Sequence, residues 1–181
     1  YEPEPINLCG VTDPYQPVER TLGLTRGCLE VLAEFRNPVS VVTKNRLVVR
    51  DADLLGDLAR LGAAVACVSV TTLDPEVTAT LEPRATRPAG RLEAIRALAD
   101  AGVPVGVLVS PVIPGLTDHE IPSILDAAAA AGARHAAYTV LRLPHAVKDL
   151  FSAWLERHHP DRASKVLNRL RAMRGGELDD P

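Results

Sequence analysis

The segment Val39-Ser40-Val41-Val42-Thr43-Lys44-Asn45 decides how the rest of the chain is read. It is a nearly continuous β-branched run that stops abruptly at an ammonium and an amide. Such a run suits a parallel strand covered on both faces. The pattern repeats outward in both directions, with comparable runs at 6–11, 65–70, 105–109 and 135–141.

The intervening segments have helical periodicity. Cys28, Leu29, Leu32 and Phe35 share one spacing, Leu54, Leu55, Leu58 and Leu61 a second, and Leu92, Ile95, Leu98 and Ala99 a third. Asp51 suits an N-cap and Pro88 a first helical turn. Gly62, Gly102 and Gly132 fall where helices should stop. Thr117 and Glu120 have the spacing of a capping box, although Pro122 moves that helix start a residue or two later. Strands alternating with helices predict right-handed βαβ units and an α/β fold with parallel strands. The stretch 71–87 reads as an excursion over the top face. Val147, Leu150, Phe151 and Trp154 predict one further apolar helical face, and Val166, Leu170 and Met173 another beyond Pro160. The tail at 175–181 reads as acidic and frayed. One domain over 1–181 is expected, with C-terminal helices at 145–174 packing on it.

Apolar residues make up 46% of the 181 residues and aromatics only 3%, so the core must be aliphatic. A net charge of −3 argues against a generally basic nucleic-acid binder. The basic residues are mostly arginine, with Lys44, Lys148 and Lys165 the lysines, a bias best assigned to codon usage. No run approaches the roughly 20 apolar residues that span a bilayer, and no signal peptide is seen. A cytoplasmic protein that does not enter membranes is expected. Cys9, Cys28 and Cys67 are too far apart for a metal clamp by spacing and read as buried small hydrophobes. A start at Tyr1, already close to a strand, suggests a partial chain.

The functional signal lies just past the end of each strand. The first ends in Val11-Thr12-Asp13-Pro14-Tyr15 and the second in Thr43-Lys44-Asn45. The third runs into Ser69-Val70-Thr71-Thr72-Leu73-Asp74, and the fourth into Ser110-Pro111-Val112-Ile113-Pro114-Gly115. The fifth carries Tyr138 and ends at Arg142. In a parallel sheet these ends share one edge, where ligands of α/β folds bind. Singly, Thr12, Asp74 and Thr117 are equally well explained as loop and capping residues. Lys44 is more specific, because a partly shielded ammonium needs an anionic partner. It can hold a ligand carboxylate, form a Schiff base, or pair with Asp13. No Gly-x-Gly-x-x-Gly follows a strand and no P-loop is present, which excludes those nucleotide sites. The histidines lack metal-ligand spacing, and His158-His159 reads as a solvated helix end.

Several segments together resemble the radical S-adenosylmethionine (SAM) proteins of the spore photoproduct lyase-like, "DNA repair photolyase" group. They are Thr12-Asp13-Pro14-Tyr15-Gln16-Pro17-Val18-Glu19, Leu24-Thr25-Arg26, Val42-Thr43-Lys44-Asn45 and Arg50-Asp51-Ala52-Asp53-Leu54-Leu55. Leu81-Glu82-Pro83-Arg84-Ala85, Ile113-Pro114-Gly115-Leu116-Thr117-Asp118 and Leu141-Arg142-Leu143-Pro144 complete the series in order. The resemblance implies a partial (β/α)6 barrel, an open relative of the TIM barrel, lacking here its first strand and cluster loop. It implies that Thr12 and Asp13 receive the amino group of the SAM methionine, and that Lys44 and Ser69 hold its carboxylate and ribose. The segment from Pro111 to Asp118 resembles the family's Gly-x-Ile-x-Gly-x-x-Glu adenine motif. Pro111 replaces its first glycine and Asp118 its glutamate, so only the backbone role of Ile113 carries over. Tyr138 would lie beside the adenine.

The family's Cys-x-x-x-Cys-x-x-Cys loop, which holds a 4Fe-4S cluster, would precede this segment, and none of the three cysteines replaces it. The resemblance therefore implies a SAM-binding portion of an enzyme that generates a 5′-deoxyadenosyl radical when complete. The isolated chain is expected to be inactive, as a fragment or the product of a degenerate gene. The substrate is open, with DNA or RNA suggested by the family's name. Two other readings compete: a Schiff-base enzyme using Lys44, and a non-catalytic small-molecule or nucleic-acid binding module whose Arg162, Lys165 and Arg169 touch phosphates. An exposed first strand also predicts self-association or marginal stability.

Overall fold

The computed structural model describes residues 2–178. Five strands form one sheet in the order β1-β2-β3-β4-β5: Ile6–Leu8, Val39–Thr43, Ala64–Ser69, Val105–Val112 and His135–Val140. Every neighbouring pair is parallel, so consecutive strands lie side by side and all carboxyl ends share one edge. The sheet does not close, which is the partial-barrel architecture the sequence predicts.

Helices separate the strands: α1 (Glu19–Leu22), α2 (Leu24–Glu34), α3 (Ala52–Arg60), α4 (Pro75–Leu81), α5 (Pro88–Asp100) and α6 (Ile121–Ala130). Two follow the last strand, α7 (Val147–His158) and α8 (Pro160–Met173). Pro88 opens α5, and Pro122 sits in the first turn of α6, where a missing N–H costs nothing. Among the described residues no helix is long and apolar enough to cross a membrane.

Alternation along the strands sorts the two faces. Val39, Val41 and Thr43, with Ala66, Val68, Val105 and Val107, are buried. The valines and Ala66 among them meet Leu29, Leu55, Leu58, Ile95, Leu98 and Ile124 of the helices in one aliphatic core. Each buried valine, leucine or isoleucine contributes about 1.5–3 kcal/mol. The other face is the concave one, where Val42, Cys67, Gly106 and His135 form a row across the sheet. The His135 ring lies over Gly106, which has no Cβ to obstruct it, and its Nε2 stands 3.6 Å from Cys67 Sγ.

A second apolar cluster joins Ile113, Leu116 and Leu143 to Phe151, Leu155, Ala163, Val166 and Leu170. Trp154 Nε1 donates to Thr80 O at 3.1 Å, and Arg169 Nη1 donates to Asp118 Oδ2 at 2.7 Å. The guanidinium of Arg174 donates to Leu141 O. The α7–α8 pair therefore lies across the loops leaving β3, β4 and β5, on the carboxyl edge of the sheet.

Several expectations need correction. The first strand ends at Leu8, not residue 11, and the fourth extends to Val112 through an irregularity between Val109 and Val112. Asp51 precedes α3 without capping it by its side chain. Thr117 and Glu120 form no capping box: Thr117 Oγ1 accepts from Ile113 N, and the Glu120 carboxylate accepts from Thr72 and Leu73. Val147, Leu150 and Met173 are exposed, although Phe151 and Leu170 on the same helices are buried. Cys28 is exposed and Cys9 and Cys67 only half-buried, because the burial faces of these elements pass beside them. His159 packs on Trp154 at 5.2 Å between ring centres instead of lying wholly in solvent. The tail read as frayed extends into 179–181, outside the described residues.

Candidate functional site

Asp13 builds the rim at the first two strands. Its Oδ1 accepts from Tyr15 N at 2.8 Å and Thr43 Oγ1 at 2.6 Å, and its Oδ2 accepts from Lys44 N at 2.7 Å. An ionised carboxylate offers about four acceptor positions, so three donors leave Asp13 one more. Asn45 closes the stitch by donating to Tyr15 O at 2.7 Å. Thr12 is exposed on this rim, with its hydroxyl accepting from Gln16 Nε2 at 2.6 Å.

Lys44 does not pair with Asp13 through its ammonium. Its Nζ donates to Ser110 O at 2.9 Å and Thr71 Oγ1 at 3.1 Å, and forms an ion pair with Glu82. All three of its protons are thereby used. Glu82 also takes Arg91, whose side chain is 1% exposed and which donates to Ser69 O at 3.1 Å and Thr86 O at 2.6 Å. Lys44, Glu82 and Arg91 form a cation–anion–cation line under the rim. Burial, with the nearby Arg91 charge, lowers the Lys44 pKa against the pull of Glu82. Burial alone would raise the Glu82 carboxyl, but the Lys44 and Arg91 charges hold it below its usual range. A Schiff base at Lys44 would require breaking this line, so the geometry gives that chemistry no support.

A second ionic network fixes the loop carrying Thr12 and Asp13 from behind. Glu19 accepts from Thr25 N at 3.0 Å and pairs with Arg50 at 2.7 Å. Asp51 pairs with both Arg50 at 2.8 Å and Arg26 at 3.1 Å, and Arg26 also holds Asp53 at 2.8 Å. The fully buried Tyr15 packs into this network, and burial together with the Asp51 carboxylate pushes its phenol pKa up.

The remaining predicted residues are dispersed along the same edge. Ser69 is buried, with its carbonyl taken by Arg91. Ile113 is also buried: its N–H donates to Thr117 Oγ1 at 3.0 Å, and its carbonyl accepts from Leu116 N and Thr117 N. Tyr138 is 69% exposed on β5. The structure thus joins Asp13 to Lys44 directly and Lys44 to Ser69 through Glu82 and Arg91. Thr12 and Tyr138 stand apart at the two ends. Sequence reading assigned no role to Thr71, Glu82 or Arg91. Thr71 stood in the polar run past the third strand and Glu82 in the landmark segment Leu81-Glu82-Pro83-Arg84-Ala85, whereas Arg91 carried no signal.

The described residues do not suit an iron–sulfur cluster. Among the described residues no group of three or more His, Cys, Asp or Glu is placed to hold a metal ion. Cys28 lies on the helix layer, Cys9 donates to Asn7 Oδ1 at 3.0 Å, and burial raises the Cys67 thiol above its ordinary pKa, away from the thiolate a cluster needs.

Comparison with known proteins agrees with this architecture. The family model described as "Radical SAM superfamily" matches residues 8–128. An uncharacterized protein of Mycobacterium tuberculosis (strain H37Rv) is 35% identical over 164 residues, covering 90% of this chain and 48% of its own length. One from Methanocaldococcus jannaschii is 29% identical over 115 residues, covering 64% of this chain and 43% of its own. The chain spans about half the length of these curated relatives. Among solved structures, a single mutant of spore photoproduct lyase with dinucleoside spore photoproduct superposes with a TM-score of 0.60 at 19% identity, covering 89% of this chain and 47% of that one. A double mutant of that lyase, with bound AdoMet and dinucleoside spore photoproduct, gives 0.59 at 19% identity, covering 89% and 46%. At such identity these two speak to the fold, whereas the family match and the mycobacterial relative speak to descent: the chain belongs to the radical SAM superfamily.

Proposed function

We propose that this chain is the SAM-binding portion of a radical SAM enzyme, with SAM lying along the carboxyl edge of the sheet. The observation that carries this reading is the sequential parallel order of the five strands, which brings every strand end to one rim. Thr12 and the remaining acceptor position of Asp13 receive the methionine amino group. Lys44 and Ser69 serve the carboxylate and ribose, and the turn at Ile113 and the ring of Tyr138 flank the adenine. A zwitterionic ligand end needs an anion and a cation side by side, and Asp13 and Lys44 are adjacent through the Lys44 N–H. Because Lys44 Nζ is fully engaged, the SAM carboxylate must exchange with one of its acceptors. The described residues do not hold the cluster, so radical chemistry is assigned to the complete protein alone. Its substrate on this reading is a nucleic acid, DNA or RNA, as the dinucleoside bound by the fold neighbour suggests.

Calorimetric titration of SAM into the chain tests this. Saturable heat is expected, and Asp13→Asn should weaken SAM about tenfold or more, the worth of one charge-assisted hydrogen bond at about 1.5–3 kcal/mol. Adenosine, which lacks the methionine end, should bind both proteins equally. No saturable SAM binding to the wild-type chain overturns the reading.

A further inference from the structure

We propose that the exposed stripe Arg162–Lys165–Arg169 on α8 is a contact surface for a nucleic-acid backbone at the mouth of the rim. This rests on the nucleic-acid reading above and assigns it a place on the molecule. Residues 160–174 hold five basic side chains and one acidic, whereas the whole chain has 20 basic and 23 acidic. The rest of the protein is thus distinctly acidic, and α8 is a local positive field on a surface that otherwise repels polyanions.

The stripe follows helical spacing of three and four residues and flanks the buried face of Ala163, Val166 and Leu170. It spans about 10 Å at the roughly 1.5 Å rise per residue of a helix. That length faces two or three successive phosphates of a single strand. Its position is set by the turn after β4. A Cβ on Gly115 would touch Arg169 Cδ at 3.4 Å, Val166 Cγ2 at 3.5 Å and Lys165 Cγ at 3.6 Å. The stems of Lys165 and Arg169 therefore lie on the segment that resembles the adenine motif, with both residues exposed. Arg169 is oriented by Asp118 through one nitrogen, while Lys165 makes no ion pair among the described residues. A strand held here runs beside the proposed SAM position, not on the far side of the sheet.

The test is fluorescence anisotropy of a labelled single-stranded 20-mer DNA against salt, with the wild-type chain, Arg162→Gln/Lys165→Gln, and Arg60→Gln. Arg60 ends α3 at the opposite, amino edge of the sheet. The double variant should lose at least fivefold in affinity. Its log–log salt slope should become shallower by about 1.4, from roughly 0.7 per phosphate contact. Arg60→Gln should change neither. Equal loss in Arg60→Gln, an unchanged double variant, absence of DNA binding, or a preference for anionic phospholipid vesicles over DNA would each overturn the proposal. Circular dichroism melting confirms that the variants fold, and Lys165→Gln alone gives the same reading at half the slope change. SAM titration of the double variant separates the two readings. Retained SAM binding with weakened DNA binding supports both, and unchanged DNA binding with intact SAM binding removes the stripe alone.

Discussion

The two ionic networks behind the rim use the same residue types in opposite arrangements. Under the rim, one carboxylate, Glu82, serves two cations, Lys44 and Arg91, with side-chain exposures of 29% and 1%. Behind the first loop, two buried carboxylates, Glu19 and Asp51, are served by guanidiniums that reach solvent, Arg26 at 32% and Arg50 at 28%. The inner network has a single point of failure. The outer one is redundant, because Asp51 is held from two sides and Glu19 also accepts a backbone N–H. Redundancy, more than the number of ion pairs, should set the cost of each loss.

The largest effect is therefore expected from Glu82→Ala, which leaves two shielded cations without an anion. A loss of about 3–5 kcal/mol is expected for breaking such a buried arrangement, measured by urea denaturation. Arg50→Met, which leaves Asp51 its Arg26 partner, should cost clearly less. If the two variants cost the same, redundancy is not what distinguishes the networks.

The networks should also separate by pH. Glu82 and Glu19 have depressed folded pKa values, from the surrounding cations and hydrogen bonds despite burial. Their stabilisation is present above the ordinary carboxyl pKa of 4.5 and is lost as pH falls through the folded values. Tyr15 contributes at the other limb. Its folded pKa is raised, so the unfolded chain releases the proton first and stability falls as pH climbs above the ordinary 10.0. Tyr15→Phe should flatten the alkaline limb of a denaturation profile and leave the acid limb intact. A variant with the wild-type alkaline slope would show that the buried phenol does not govern that limb.

How much of this was legible beforehand depends on the range of the interactions. The strands, their parallel order and the helices between them rest on local patterning, and the sheet obeys it to within a few residues. Asp13, Lys44 and Ser69 were singled out because strand ends advertise polar groups. Glu82 was not, because its partner Lys44 lies 38 residues earlier and nothing in the spacing of 71–87 announces a return to the rim. The Thr117 and Glu120 spacing satisfied a local rule, yet Glu120 is drawn to Thr72 and Leu73 across the fold. Helical periodicity named an apolar face on α7 but not what covers it, so Leu150 is 70% exposed while Phe151 is 7%.

The smallest expected effect lies at the outer end of the second network. Asp53 is 58% exposed and meets Arg26 at 2.8 Å, and hydrogen bonding from that guanidinium, against a little burial, lowers its carboxyl pKa. Water competes for both partners, so the pair contributes little however good its geometry. Asp53→Asn should cost under about 1 kcal/mol at neutral pH, and less still in 1 M salt. Arg26 keeps Asp51 in either case. A cost comparable to that of Glu82→Ala would mean that Asp53 acts through Arg26 on the buried carboxylate, and the outer network would then be as brittle as the inner one.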